Sequence, residues 1–182
     1  MNKARKDTSC ELMLHNTLFR TEQVLQRSSG RVWSLRQPPA HRCSAKSRWE
    51  YACRATSATA NCFGESREEL ENYAWIGEGG FGRPHPVGEK KANRWGLFDM
   101  HGNVSEWCQD WYSDYPSNAA TDPHGPSEGS YRVLRGGRWN NDAGNCRSAY
   151  RSRDVPSDRS GTYGFRVAMS LPVKQPEATS SK

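Results

Sequence analysis

Apolar residues are scarce in this chain. Only 34% of the 182 residues are hydrophobic, and the mean hydropathy is −0.96. No stretch approaches the roughly 20 apolar residues of a membrane-spanning helix. The start, Met1-Asn-Lys-Ala-Arg-Lys6, lacks the apolar run of a secretory signal. As written, the chain reads as cytoplasmic, with reduced thiols. Its six cysteines (10, 43, 53, 62, 108 and 146) form no Cys-x-x-Cys pair, which argues against a structural zinc site. There is no Gly-x-Ser-x-Gly nucleophile motif and no internal repeat. Gly77-Glu-Gly-Gly-Phe-Gly82 is no dinucleotide fingerprint: no strand precedes it, no helical pattern follows, and Pro84 and Pro86 close it. The net charge is +6, with the basic excess before residue 55. No zinc-finger, RNP or helix-turn-helix pattern accompanies it, so it reads as a solvated basic surface and not as a nucleic-acid site.

What the chain does have is glycine, proline and large aromatics. Sixteen Gly and ten Pro point to a loop-rich domain, and seven Trp and seven Tyr take over core positions that Leu and Ile fill elsewhere. At this length the chain is one domain. A helix is expected from Lys46 to about Ala55, with Trp49, Ala52 and Cys53 on one face and a Glu50–Arg54 pair on the other. A second helical turn is expected over Ser66–Glu71, with Ser66 as N-cap. Cys10–Gln26 reads as one short helix. Tyr131–Arg135 and Phe165–Met169 are strand candidates. Tyr115–Ser130 is a surface loop by its turn residues, and Pro172–Lys182 reads as a disordered tail.

The densest segment is Asn93-Arg-Trp-Gly-Leu-Phe-Asp-Met-His-Gly-Asn-Val-Ser-Glu-Trp-Cys-Gln-Asp-Trp111. Its mixture suits neither a plain amphipathic helix nor a plain strand. Asp99 and Glu106 are oxygen donors seven residues apart, with the Gly102-Asn103 break between them. Carboxylates plus main-chain carbonyls in an irregular loop are the parts of a hard-cation site. The competing reading has Asp99 capping a turn and Glu106 pairing with an arginine. Arg135, Arg138, Arg147, Arg151, Arg153 and Arg166 form a second dense group. Some are expected to make buried forks to Asp110, Asp142 or Asp158, and the rest to line a groove for an acidic or peptide ligand.

Together with this segment, Tyr131-Arg-Val-Leu-Arg-Gly-Gly-Arg-Trp139, Cys146-Arg-Ser-Ala-Tyr-Arg151, Pro156-Ser-Asp158 and Tyr163-Gly-Phe-Arg-Val-Ala168 resemble the formylglycine-generating, or sulfatase-modifying factor, family. Trp49-Glu-Tyr-Ala-Cys-Arg54 is similar to the end of the family's Leu-Pro-Thr-Glu-Ala-Glu-Trp-Glu-Tyr-Ala-Cys-Arg motif. The resemblance covers roughly Trp49 to Leu171. It implies an α+β, C-type-lectin-like fold, loop-rich, with short antiparallel strands and few helices. It also partitions the chain into a diverged or poorly ordered segment 1–48, a domain 49–171 and a tail 172–182.

By position, the resemblance implies a calcium site made of Asp99 and Glu106 side chains with the carbonyls of Gly102 and Val104. A second family site maps weakly onto Asn72, Tyr73 and Glu78. Active members bind copper(I) through two cysteines five residues apart, a soft-ligand site, and convert a sulfatase cysteine in a Cys-x-Pro-x-Arg motif to formylglycine. Counted forward from Gly136-Gly137, Asn141 stands at the first cysteine position and Cys146, the candidate catalytic thiol, at the second. Counted backward from Arg147–Arg151 and Pro156, Cys146 falls about three residues beyond the second position, and neither count puts a cysteine at the first. Arg138 and Ser105 also replace family residues, the Ser after Gly-Gly and the Trp of Val-Trp-Glu-Trp. Cys53 matches a position bridged in secreted members, and Val167 stands where its partner would be. The expectation is therefore a non-catalytic, calcium-stabilised scaffold for a peptide or protein partner. Its alternatives are an oxidase acting on a sulfatase, or a fragment without independent function. Neither nucleic acid nor a membrane is an expected partner.

Overall fold

The computed structural model describes residues 11–14, 17–20, 42–115, 117–118 and 125–170. Two helices and eight short strands are joined by long loops. The strands are β1 (Glu11–Leu14), β2 (Thr17–Arg20), β3 (Arg42–Cys43), β4 (Ser105–Trp111), β5 (Arg132–Arg135), β6 (Ser152–Asp154), β7 (Tyr163–Phe165) and β8 (Val167–Ser170). The helices are α1 (Lys46–Arg54) and α2 (Arg67–Tyr73). One sheet runs β1-β2-β8-β3 and the other β6-β5-β4-β7. All strand pairs are antiparallel except β4 with β7, which is parallel, so the second sheet is mixed where an antiparallel one was expected. Among the described residues no helix is long and apolar enough to cross a membrane.

Helix α1 forms where the Trp49, Ala52, Cys53 spacing places it, and these residues face the core. Its N-cap, Ala45, has no capping side chain. The Asp110 carboxylate, 64 residues on, supplies the missing acceptor by taking the Lys46 N–H at 2.7 Å. A carboxylate there also complements the helix dipole. The Glu50–Arg54 pair is present at 2.9 Å. In α2, Ser66 Oγ accepts the Glu69 N–H at 3.2 Å, as its capping pattern requires.

Three expectations fail. Glu11–Leu14 and Thr17–Arg20 are paired strands, not part of one helix, with Leu14 opposite Thr17. Their apolar residues never made a helical stripe, and β8 offers β2 a partner edge. This also draws part of segment 1–48 into the sheet. The segment around Trp107 contains a strand, β4, whose register against β5 shifts between Trp107 and Trp111. It was obscured because its buried residues are polar or charged: Ser105, Glu106, Cys108 and Asp110, while Trp107 and Trp111 are half-buried. Trp95 and Trp139 are likewise half-buried, and Trp49 is the tryptophan that fills the core. Finally, the buried arginines pair with glutamates, Arg135 through a single N–H and Arg166 as a fork. Arg135 reaches Glu50 at 2.6 Å and Arg166 reaches Glu106, while Asp110 belongs to Lys46. The expected tail 172–182 lies outside the described residues.

The main core gathers Trp49, Ala52 and Cys53 of α1, Leu97 and Met100, Cys108 of β4, Val133 of β5 and Ala168 of β8. Helix α1 therefore rests between the two sheets' contributions and directly against the β4–β5 pair.

Candidate functional site

The segment 99–106 starts with an unusual backbone. Asp99 and Asn103 adopt φ of +56° and +64°, a left-handed conformation that Asp and Asn tolerate better than bulkier residues. Gly102, at φ +154°, lies so close to the Trp75 carbonyl that an added Cβ would sit 2.6 Å from it. A glycine is thus required there by contact. Asn103 then stitches three segments. Its N–H donates to the Trp75 carbonyl, its own carbonyl accepts from Trp139 N–H, and its amide pairs with both backbone groups of His85.

Glu106 is 6% exposed and its carboxylate faces α1. Oε2 accepts from the Trp49 indole at 2.6 Å and from Arg166 Nε at 2.9 Å, and Oε1 accepts from Arg166 Nη2 at 2.7 Å. Arg166 is 1% exposed and also donates to the Phe98 carbonyl. Burial alone would lower the arginine's pKa. The charge of Glu106 and its hydrogen bonds outweigh burial, and the net direction is upward. The arginine-pair reading of Glu106 is therefore correct.

Asp99 differs. Oδ2 accepts the Gly88 N–H at 2.9 Å, but Oδ1 is buried and has no hydrogen-bond partner. Burial pushes the Asp99 pKa up. The Gly88 N–H and Arg166 oppose that shift, and Glu106 adds to it. The structure thus brings two buried carboxylates into electrostatic reach around a single guanidinium, and leaves one carboxylate oxygen unsatisfied. That orphan oxygen is the observation that fits a bound cation. Gly102 and Val104 lie between the two carboxylates in the chain, as the expected set requires. No cluster of three or more His, Cys, Asp or Glu side chains exists among the described residues, so any cation here depends on backbone oxygens. Of the weaker second set, the Asn72 carbonyl accepts Lys91 N–H and the Tyr73 ring stacks on Phe63 at 4.4 Å. The Glu78 side chain lies outside the described residues.

Cys146 is fully buried, at 0% exposure. An added Cβ on Gly137 would lie 2.4 Å from its Sγ, which shows how closely the thiol is packed. Burial pushes its pKa up to about 12, against a backbone hydrogen bond from Arg138. Asn141, the partner position, is half-buried, and its carbonyl accepts Gly77 N–H. Copper(I) needs two thiolates; this pair of positions supplies one protonated thiol and an amide. The residues do not fit that metal. Cys53, Cys62, Cys108 and Cys146 are free thiols, and the Cys53 pKa is also pushed by burial to about 12.

His101 organises this thiol-rich region. Its ring is 1% exposed. Nδ1 lies 2.8 Å from the Cys146 carbonyl and Nε2 accepts the Cys62 N–H at 3.1 Å. A carbonyl only accepts and an amide only donates, so the proton is on Nδ1. The residues missed from sequence are Trp49 and Arg166 as partners of Glu106. The available signal was the arginine set between Phe165 and Val167 in an apolar closing segment.

A loop-rich α+β domain organised by a buried carboxylate–guanidinium centre is the class these features define. The chain belongs to the sulfatase-modifying factor family: the sulfatase-modifying factor enzyme 1-like domain matches residues 26–171. Over 87 residues it is 48% identical to the serine/threonine-protein kinase pkn1 of Chlamydia caviae, covering 46% of this chain and 14% of that protein. Over 143 residues it is 32% identical to the formylglycine-generating enzyme of Mus musculus, covering 70% of this chain and 38% of that enzyme. The solved structure of Treponema denticola variable protein 1 superposes with a TM-score of 0.69 at 37% identity, covering 71% of this chain and 48% of that one. The chain spans well under half the length of these curated relatives. The family includes formylglycine-generating oxidoreductases, and its members typically bind calcium.

Proposed function

We propose that this domain is a non-catalytic recognition scaffold of the sulfatase-modifying factor family, stabilised by calcium. The burial of Cys146, together with an asparagine where its partner cysteine would stand, carries the first half of this reading. Burial holds the Cys146 thiol protonated in the metal-free protein, which disfavours it as a nucleophile, and Asn141 offers no second thiolate for a two-coordinate soft-metal site. The test is direct. The full chain is titrated with copper(I) and then incubated with oxygen and a Cys-x-Pro-x-Arg peptide. Neither stoichiometric copper binding nor formylglycine is expected, and either one overturns the reading. The specific observation on the other side is the 32% identity to the mouse enzyme over 70% of this chain.

Calcium would be held by Asp99 Oδ1, the Glu106 carboxylate and the carbonyls of Gly102 and Val104. Bound there, it supplies the positive charge that the orphan carboxylate oxygen lacks. A cation that binds the native state alone stabilises it by about 2.7 kcal/mol at a hundredfold excess over Kd. For a chain of this size that raises Tm by about 5–10 °C. Chelation is expected to reverse the rise; a Tm indifferent to both treatments removes calcium from the proposal.

Asp99→Asn refines this prediction. A carboxyl whose pKa rises on folding favours the folded state while it is protonated. Its penalty sets in as pH climbs from the ordinary carboxylate range to the raised folded-state value, and is complete above it. At neutral pH without calcium, Asp99→Asn is therefore expected to raise Tm. With calcium the same variant should show a smaller rise than the parent, because the amide is a weaker ligand. Thermal melts with and without chelator measure both. A variant less stable than the parent in chelator contradicts the charge-burial account.

A further inference from the structure

On the surface beside β6, five side chains from three segments alternate tyrosine and arginine. The Arg151 guanidinium lies 3.7 Å from the Tyr115 ring centre and 4.9 Å from that of Tyr112. Arg153 lies 4.6 Å from Tyr112 and 5.2 Å from Tyr131. Tyr112, half-buried against the core, anchors the middle of the row. Tyr115 and Tyr131 at its ends are 59% and 42% exposed.

Cation–π contacts of this kind fix guanidinium planes without neutralising them. Arg151 spends one N–H on the Ser113 carbonyl at 3.1 Å. No carboxylate among the described residues lies within salt-bridge distance of either guanidinium. The adjacent carboxylate, Asp154, points to the other face of the strand and accepts from Tyr163 Oη at 2.6 Å. Two oriented cations thus stand two residues apart, Arg153 on β6 and Arg151 immediately before it. Moreover, β6 is the outer strand of its sheet, so its far edge has no partner strand among the described residues.

We propose that the row Tyr115–Arg151–Tyr112–Arg153–Tyr131 is the docking surface for an extended acidic peptide segment of a partner protein, laid along the free edge of β6. This rests on the recognition-scaffold reading and names the partner chemistry for it. Alternate residues of an extended peptide share a face and repeat every ~6.6 Å, which suits the i, i+2 pair Arg151 and Arg153, both of which reach the Tyr112 ring. A Glu-x-Glu pair therefore meets both arginines, each carboxylate taking two parallel N–H groups. A nucleic acid fits less well. Bases need free aromatic faces for stacking, and here the guanidiniums lie over the rings.

The test uses the full chain with calcium and fluorescence anisotropy of a labelled twelve-residue peptide of alternating Glu and Ser. Controls are a peptide of the same composition with its Glu in one block, the Lys counterpart, and an oligothymidylate of equal charge. The alternating peptide is expected to bind tightest. Arg153→Gln and Arg151→Gln should each weaken it about tenfold, with melting temperatures unchanged. Should either glutamine variant fail to fold, Arg153→Lys keeps the charge and loses the fork, and is expected to weaken binding several-fold. Equal affinity in parent and variants, or tighter binding of the oligothymidylate, overturns the proposal. So does the absence of peptide binding by a chain that still melts cooperatively and responds to calcium. That last result sinks this surface and leaves the scaffold reading standing, whereas formylglycine production sinks the scaffold reading.

Discussion

Glu106→Gln is expected to destabilise the domain by about 3–5 kcal/mol, the cost of breaking a buried ion pair from one side. The carboxylate receives three hydrogen bonds, from Trp49 and twice from Arg166, inside a centre where Arg166 is 1% exposed. A glutamine offers one acceptor oxygen and turns an NH2 group toward donors. The guanidinium is then left buried without its counter-charge. Total stabilities of domains are about 5–15 kcal/mol, so the change removes a large share of the whole. Urea unfolding in the presence of chelator measures it free of any calcium contribution. The double variant Glu106→Leu with Arg166→Leu should recover much of the loss, since apolar replacement of a complete buried pair is often neutral. A loss below about 1 kcal/mol for Glu106→Gln would mean that water reaches this centre and that the fork is not what organises α1 against β4.

Which parts of this arrangement could be read from the sequence follows from how far apart the interacting residues are. Helix α1 and the Ser66 cap depend on neighbours within one or two turns, and both form as their spacing dictates. Strand β4 did not announce itself, because the usual alternation is inverted: charge points inward and tryptophan outward. That inversion makes sense only once α1 presents its Lys46 N–H to Asp110 and its Trp49 indole to Glu106. These partners lie 64 and 57 residues away, and no local pattern carries such information. The parallel pairing of β4 with β7 is invisible for the same reason. In the candidate site, the family resemblance identified Asp99, Gly102, Val104 and Glu106 by position. It gave no hint that Arg166 already holds Glu106, nor that Asp99 keeps the unsatisfied oxygen. The arginine group was recognised by density alone. Its division into buried forks and a tyrosine-braced surface row depends on which residues the sheet edge leaves exposed.

Gly137→Ala is the second change expected to have a large effect. Gly137 has φ +73°, and a methyl group placed on it would lie 2.4 Å from Cys146 Sγ and 2.9 Å from the Asn145 carbonyl. Left-handed backbone costs a non-glycine residue about 1–2 kcal/mol, and overpacking a filled interior costs about 1–3 kcal/mol more. A loss of roughly 2–5 kcal/mol is therefore expected in the same urea measurement. The two contributions are separable, because the sulfur can be removed. Combined with Cys146→Ala, the glycine change should recover about 0.5–3 kcal/mol relative to additivity, the range for residues in contact. The backbone strain and the Asn145 carbonyl contact would remain, so recovery should be partial. This coupling also bears on function. If Cys146 packs against Gly137 as a structural thiol, the two substitutions depend on each other strongly. A reactive thiol turned toward solvent would leave the glycine's environment unaltered when deleted, and the two losses would simply add. Additivity would therefore count against the buried position of Cys146, and with it against the non-catalytic reading that rests on that burial.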